Sequence, residues 1–231
     1  MQSPHGSPGW ARRWQRVAVA VLAGFGLGLA LASWDFAQVL RIAEQRYGDL
    51  GPAKGRLQAW QDLLLETRTL AEPDQLAAVN RFINRQLRFV DDRTIWKQQD
   101  YWASPVEALI QGAGDCEDYS IAKYFTLREL GVASDKLRIT YVKALNYNQA
   151  HMVLTYYPSL TAEPLVLDNL INDIRPASQR NDLLPVYSFN AEGVYLPGAG
   201  GGKRSGDSKQ LSRWQDLLKK MRAEGFAIAE G

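Results

Sequence analysis

Up to Gly131 the apolar residues of this chain recur three and four apart; beyond it they recur two apart. That one change of period splits the chain into a helical part and a sheet part, because a helix repeats every 3.6 residues and a strand every two. Phe36, Val39, Leu40, Ala43 and Tyr47 form a first stripe before a break over Gly48–Gly55. Leu57, Trp60, Leu64 and Thr67 form a second, and Leu76, Val79, Phe82, Ile83 and Leu87 a third, opened by Pro73-Asp74. Such stripes belong to helices layered on another element. Phe89 to Trp96 fits neither period, and Asp91-Asp92 suggests a turn. Ser104-Pro105 starts a short helix, Gly112 and Gly114 interrupt the chain, and Cys116 to Leu130 is a longer helix closed by Gly131. Leu137–Val142 and His151–Tyr156 alternate as half-buried strands around a polar connection, and Leu165-Val166-Leu167 is a third strand ending at Asp168-Asn169. The expectation is an α+β fold with helices packed against an antiparallel sheet.

The ends read differently. Arg12, Arg13 and Arg16 precede an uncharged run over residues 17–31, and Ala30-Leu31-Ala32 offers a small-x-small cleavage pattern, so residues 1–32 are expected to be an export signal. The alternative is an uncleaved anchor, with Trp34 and Phe36 extending an apolar run otherwise short of the roughly 20 residues a spanning helix needs. Both put the remainder outside the cytoplasm. Residues 33–196 then form the folded domain, and 197–231 a glycine-rich linker with a short helix from Leu211 to Met221. A net charge of +2 gives no electrostatic reason to expect nucleic acid, and no nucleic-acid-binding motif or phosphate loop occurs. A single cysteine excludes an intrachain disulfide and a Cys/His zinc cluster.

That cysteine lies in Gly114-Asp115-Cys116-Glu117-Asp118-Tyr119, and downstream of the leader His151 is the only histidine. A thiol at a helix N-terminus feels the positive end of the helix dipole, and a neighbouring imidazole would hold it as thiolate. Asp115, Glu117 and Asp118 oppose this by crowding negative charge around the sulfur. His151 near the start of one strand and Asp168 at the end of the next can meet across an antiparallel pair, the carboxylate fixing the imidazole tautomer. Each residue also has a plain structural role open to it: a buried thiol, a structural histidine, turn chemistry at Asp168, and a capping pair of Asp115 with Asp118.

Cys116, His151 and Asp168, on helix, strand and strand and separated by 35 and 17 residues, resemble the papain-like transglutaminase core. The ordered set Gly114 to Tyr119, Asn146-Tyr147 through His151-Met152-Val153-Leu154, and Leu167-Asp168-Asn169 is more specific. It resembles the bacterial transglutaminase-like cysteine proteinases, in particular the periplasmic LapG-type adhesin proteases, over Leu57 to Tyr195. The resemblance implies a calcium-dependent periplasmic endopeptidase that clips the N-terminal region of a very large surface adhesin and releases cells from a biofilm. It implies Cys116 as nucleophile, His151 as base and Asp168 as its orienter; the oxyanion is then expected near the Cys116 N–H at the helix start, with the second donor unassigned and sought among the side chains of Gln98–Trp102. It implies calcium held by Asp115 and Glu117, with Asp118 a further ligand. It also implies an inner-membrane cyclic di-GMP receptor as inhibitory partner, for which Trp96 and Trp102 are candidate contacts, although core packing suits both better. Transglutamination by the same triad, an exported binding module with an inert thiol, and a calcium-regulated structural protein stay open.

Overall fold

The computed structural model describes residues 34–159, 161–198 and 202–228; the expected export signal lies outside them. Three helices come first: α1 (Phe36–Tyr47), α2 (Pro52–Thr67) and α3 (Glu72–Gln86). Gly55 falls inside α2, so the break between the first two helices is confined to Gly48–Gly51, where both glycines have positive φ. A parallel two-stranded ladder of β1 (Arg88–Phe89) and β2 (Ala113–Gly114) brackets α4 (Asp92–Ile95) and α5 (Pro105–Gln111). Next comes α6 (Cys116–Glu129), then strands β3 (Leu137–Ala144), β4 (Gln149–Tyr156), β5 (Leu165–Leu167), β6 (Arg175–Pro176), β7 (Leu183–Phe189), β8 (Val194–Leu196) and β9 (Lys203–Gly206), and last α7 (Ser212–Ala223). The seven strands form one antiparallel sheet in the order β6-β5-β4-β3-β7-β8-β9.

Alternation assigns the two faces of this sheet. Ile139, Leu154, Leu167 and Phe189 join the main core with the helices. Val142, Val153 and Val166 form a separate small cluster on the other face. The helix α6 is buried almost all round between Glu117 and Leu127, because β3 and β4 cover one side and α3 and α5 cover others. Burying each large side chain here contributes about 1.5–3 kcal/mol.

The C-terminal helix is built into this same core. Trp214 is 1% exposed, stacks on Phe125 at 5.5 Å and meets Tyr124 and Phe189 edge-on. Farther on, Phe226 closes an aromatic cluster with Trp34 and Trp60. Polar contacts tie the helix to the segment preceding α5. Lys220 Nζ donates to the Trp102 carbonyl and pairs with Glu107, both at 2.7 Å, while Ser104 Oγ donates to Glu224 at 2.8 Å. Trp102 stacks on Phe189, Trp96 meets Tyr101 at a tilt of 35°, and both indoles pack against the core. Among the described residues no helix is long and apolar enough to cross a membrane.

Candidate active site

The Cys116 position is set by a tightly specified approach. Ser104 caps α5 in a reciprocal box with Glu107, and Gly112 ends that helix in the left-handed region at φ 60°. The chain then pairs with β1 for two residues and turns into α6 at Asp115. A Cβ at Gly114 would lie 2.6 Å from an Asp118 carboxylate oxygen, so only glycine fits there. Asp118 has folded back to accept the N–H of Asp115 at 3.3 Å and that of Ala103 at 2.8 Å. The Gly-Asp-Cys-Glu-Asp sequence thus builds a turn whose last carboxylate closes it.

Cys116 is the first residue of α6 and partly buried. Its thiol donates to Glu117 Oε2 at 3.1 Å and accepts from the backbone N–H of Met152, the neighbour of His151 in β4. Burial pushes the thiol well above its ordinary range, and the charge and hydrogen bond of Glu117 and the charge of Asp115 push it the same way. The electrostatic objection visible in the sequence is therefore present in the fold.

His151 is the third residue of β4, 4% exposed, and its Nε2 lies 2.8 Å from Asp168 Oδ1. Asp168 follows the last residue of β5 and is 1% exposed. Its Oδ1 also accepts the Leu170 N–H at 3.1 Å, and its Oδ2 accepts from Arg180 Nη2 at 2.7 Å. Burial alone would raise this carboxyl. The hydrogen bond and charge of His151, with the bonds from Leu170 and Arg180, outweigh it and bring the carboxyl down to about 2. Arg180 is 3% exposed and also holds Asp182 through Nε and Nη2 at 2.9 and 2.8 Å. From α6, the fully buried Lys123 feels the Asp168 charge, yet burial brings its ammonium down to about 7. Neither Arg180 nor Lys123 is signalled by sequence spacing.

The acids around Cys116 fit a cation better than they fit each other. Carboxylate oxygens of Asp92, Asp115 and Asp118 lie within 4.8 Å of one another. Within the same limit, Glu117 groups with Asp115 and the Cys116 sulfur, and separately with Asp92 and Asp100. Oδ1 of Asp115 and Oδ1 of Asp92 are buried without a hydrogen-bond partner among the described residues. Burial first, then the neighbouring acids, raise Asp115 to about 10 and Asp92 to about 6. No lysine or arginine pairs with Asp115, Glu117 or Asp118 among the described residues. Clustered hard oxygens with orphaned lone pairs are what calcium takes. Asp92 was hidden in a doublet that reads as turn chemistry. Its neighbour Asp91 does cap α4, but Asp92 points inward and accepts the Tyr101 N–H.

Residues 58–183 match the family described as "Bacterial transglutaminase-like cysteine proteinase BTLCP". No curated protein matches the chain. Among solved structures, Legionella pneumophila LapG is similar at 46% identity and a TM-score of 0.68, over 79% of this chain and 97% of that one. Its EGTA-treated form aligns over the same shares at 46% identity and a TM-score of 0.70. The calcium-bound form aligns at 44% identity and 0.69, over 80% of this chain and 98% of that one. The chain belongs to the bacterial transglutaminase-like cysteine proteinases, and its mixed fold of helices on an antiparallel sheet is theirs.

Proposed function

We propose that this protein is a calcium-dependent cysteine endopeptidase in which Cys116 is the nucleophile, His151 the base and Asp168 the orienting acid. The observation that carries this reading is the bond from His151 Nε2 to an ionised, buried Asp168. It commits the ring proton to Nε2 and leaves Nδ1 as the basic nitrogen. The Cys116 sulfur, at the start of α6, takes a hydrogen bond from the N–H of Met152, the residue after His151 in β4.

In the proposed reaction the Cys116 thiol passes its proton to His151 Nδ1 as sulfur bonds to the peptide carbonyl carbon. The oxyanion is met by the Cys116 N–H at the start of α6. His151 then returns the proton to the leaving amine as the C–N bond breaks, and water hydrolyses the thioester by the same exchange. Asp168 keeps the imidazole oriented throughout. Asp115, Glu117 and Asp92 would hold the calcium, with Asp118 completing the turn beneath it. When bound, the cation supplies positive charge that offsets the acids raising the thiol. Drawing Glu117 onto the metal would also free the thiol from its present acceptor.

The proposed substrate is the N-terminal region of a large surface adhesin, the proposed location the periplasm, and the proposed inhibitory partner an inner-membrane cyclic di-GMP receptor. Kinship with LapG-type proteases supports all three. The test is incubation of the protein with adhesin N-terminal fragments, in calcium and in excess chelator, with mass mapping of the products. One defined cut, lost in chelator and in Cys116→Ala, is expected. Cleavage that persists in either arm refutes the assignment.

A further inference from the structure

The carboxylate that meets His151 belongs to the first residue after β5, and the chain that follows is thinly anchored. Among the described residues, 169–173 make no backbone–backbone hydrogen bond to another element. Leu170, in the middle of this loop, lies exposed. Loops with so few ties open locally at little cost, and Asp168 would move with this one. The helix α3 supplies the missing hold. Asn84 Nδ2 donates to the Asp168 carbonyl at 2.8 Å and to Asn172 Oδ1 at 3.0 Å. One turn earlier, Asn80 Nδ2 donates to the Asn172 carbonyl at 2.9 Å. Residues four apart share a helix face, so a single face of α3 grips the loop at both ends. Turning either amide over would aim its oxygen at a carbonyl oxygen, which fixes the nitrogens as the donors.

These asparagines are costly to α3. Asparagine is a poor helix former because its side chain competes for backbone partners. Asn80 is 1% exposed, and Oδ1 of both residues is buried with no hydrogen-bond partner among the described residues. Apolar side chains would fill this face without stranding an oxygen. What the pair gives in return is the loop: the Asp168 carbonyl is held from α3, its Oδ2 by Arg180, and its Oδ1 by the Leu170 N–H and His151. We propose that Asn84 is a positioning residue of the protease, holding the Asp168 backbone so that the carboxylate stays in line with His151 Nε2 and the ring keeps its proton there. Asn80 anchors the far end of the same loop. The inference rests on the triad reading, and Asn84 acts only through Asp168.

The test uses the full chain with nitrogen-labelled histidine, in calcium and at one fixed pH, with His151→Gln identifying the His151 ring signals against those of His5. The parent ring is expected to carry its proton on Nε2 alone. In Asn84→Ala and Asn84→Leu the ring is expected to show both tautomers, and either variant suffices if its spectrum stays dispersed. On an adhesin N-terminal fragment kcat should fall by about 10–100-fold, the cost of a small misplacement, with KM within about twofold. Ile83→Val loosens the packing of α3 without touching the loop and is expected to match the parent in ring state and kcat. A folded Asn84 variant with the parent's ring state and kcat overturns the inference and leaves the triad reading standing. So does a loss confined to KM, which would make Asn84 a substrate contact, and so does an equal loss in Ile83→Val, which would assign the effect to helix packing. A parent ring without its proton on Nε2 overturns the triad reading and this inference with it.

Discussion

His151 Nε2 meets Asp168 Oδ1 at 2.8 Å although the two residues are not ladder partners; the register places His151 opposite Val142 and ends the β5 pairing at Leu167. The contact forms because Asp168 leaves the strand and turns its carboxylate back along β4, steadied by the Leu170 N–H. This bond assigns the tautomer. Asp168→Asn leaves a group that can present its own N–H to the ring and favour the wrong nitrogen. Peptide cleavage is expected to fall by about 10³–10⁴-fold with the circular dichroism spectrum unchanged. Turnover within tenfold of the parent would remove Asp168 from the mechanism.

Arg180 is the counter-ion that lets two carboxylates sit side by side at the end of β5. Removing the charge by Arg180→Met leaves Asp168 buried beside Asp182 without compensation. Breaking a buried pair in this way costs about 3–5 kcal/mol, and urea denaturation is expected to show a loss of that size. Asp182→Asn should cost under about 1 kcal/mol, since Asp182 is 31% exposed and screened. Equal losses in the two variants would mean that the pair with Asp168 contributes nothing special.

Much of this was legible because the chain is economical. One cysteine, one histidine beyond residue 32, and a change of period at Gly131 constrain the reading to a helix-borne thiol and a strand-borne imidazole. The strand β7 escaped because Pro185 interrupts its apolar alternation. The fold tolerates it where the β3–β7 register shifts, pairing Pro185 with Val142 across an irregularity. Arg180, Lys123 and Asp92 escaped for a different reason. Each acts through a contact between distant segments, and no local spacing encodes such a meeting.

The sequence separates the last helix by a glycine-rich stretch, yet Trp214 sits among Tyr124, Phe125 and Phe189 with almost no exposure. Trp214→Ala is expected to destabilise the protein by about 3–5 kcal/mol, the usual cost of emptying so large a core site. A chain ending at residue 198 should fail to give a cooperative unfolding transition, losing in addition the Lys220 and Glu224 ties to Glu107 and Ser104. A truncated chain that melts like the parent would make α7 an accessory.

Lys123 gives a pH dependence with a definite sign. Burial lowers its ammonium to about 7, against the weaker opposing pull of the Asp168 charge, whereas in the unfolded chain it titrates near its ordinary value of about 10.4. Between those values the unfolded state binds more protons than the folded one. Stability contributed through this residue therefore rises with pH, at up to about 1.4 kcal/mol per unit. Below pH 7 the amine is charged in both states and the slope vanishes. Lys123→Met has no such term, while the remaining titrating groups are common to both proteins. Urea denaturation of the two proteins at pH 7 and at pH 10 is expected to show the parent gaining on the variant by several kcal/mol as pH rises. A difference that stays constant across that range would place the Lys123 amine at its ordinary value and show that α6 buries it as a compensated charge.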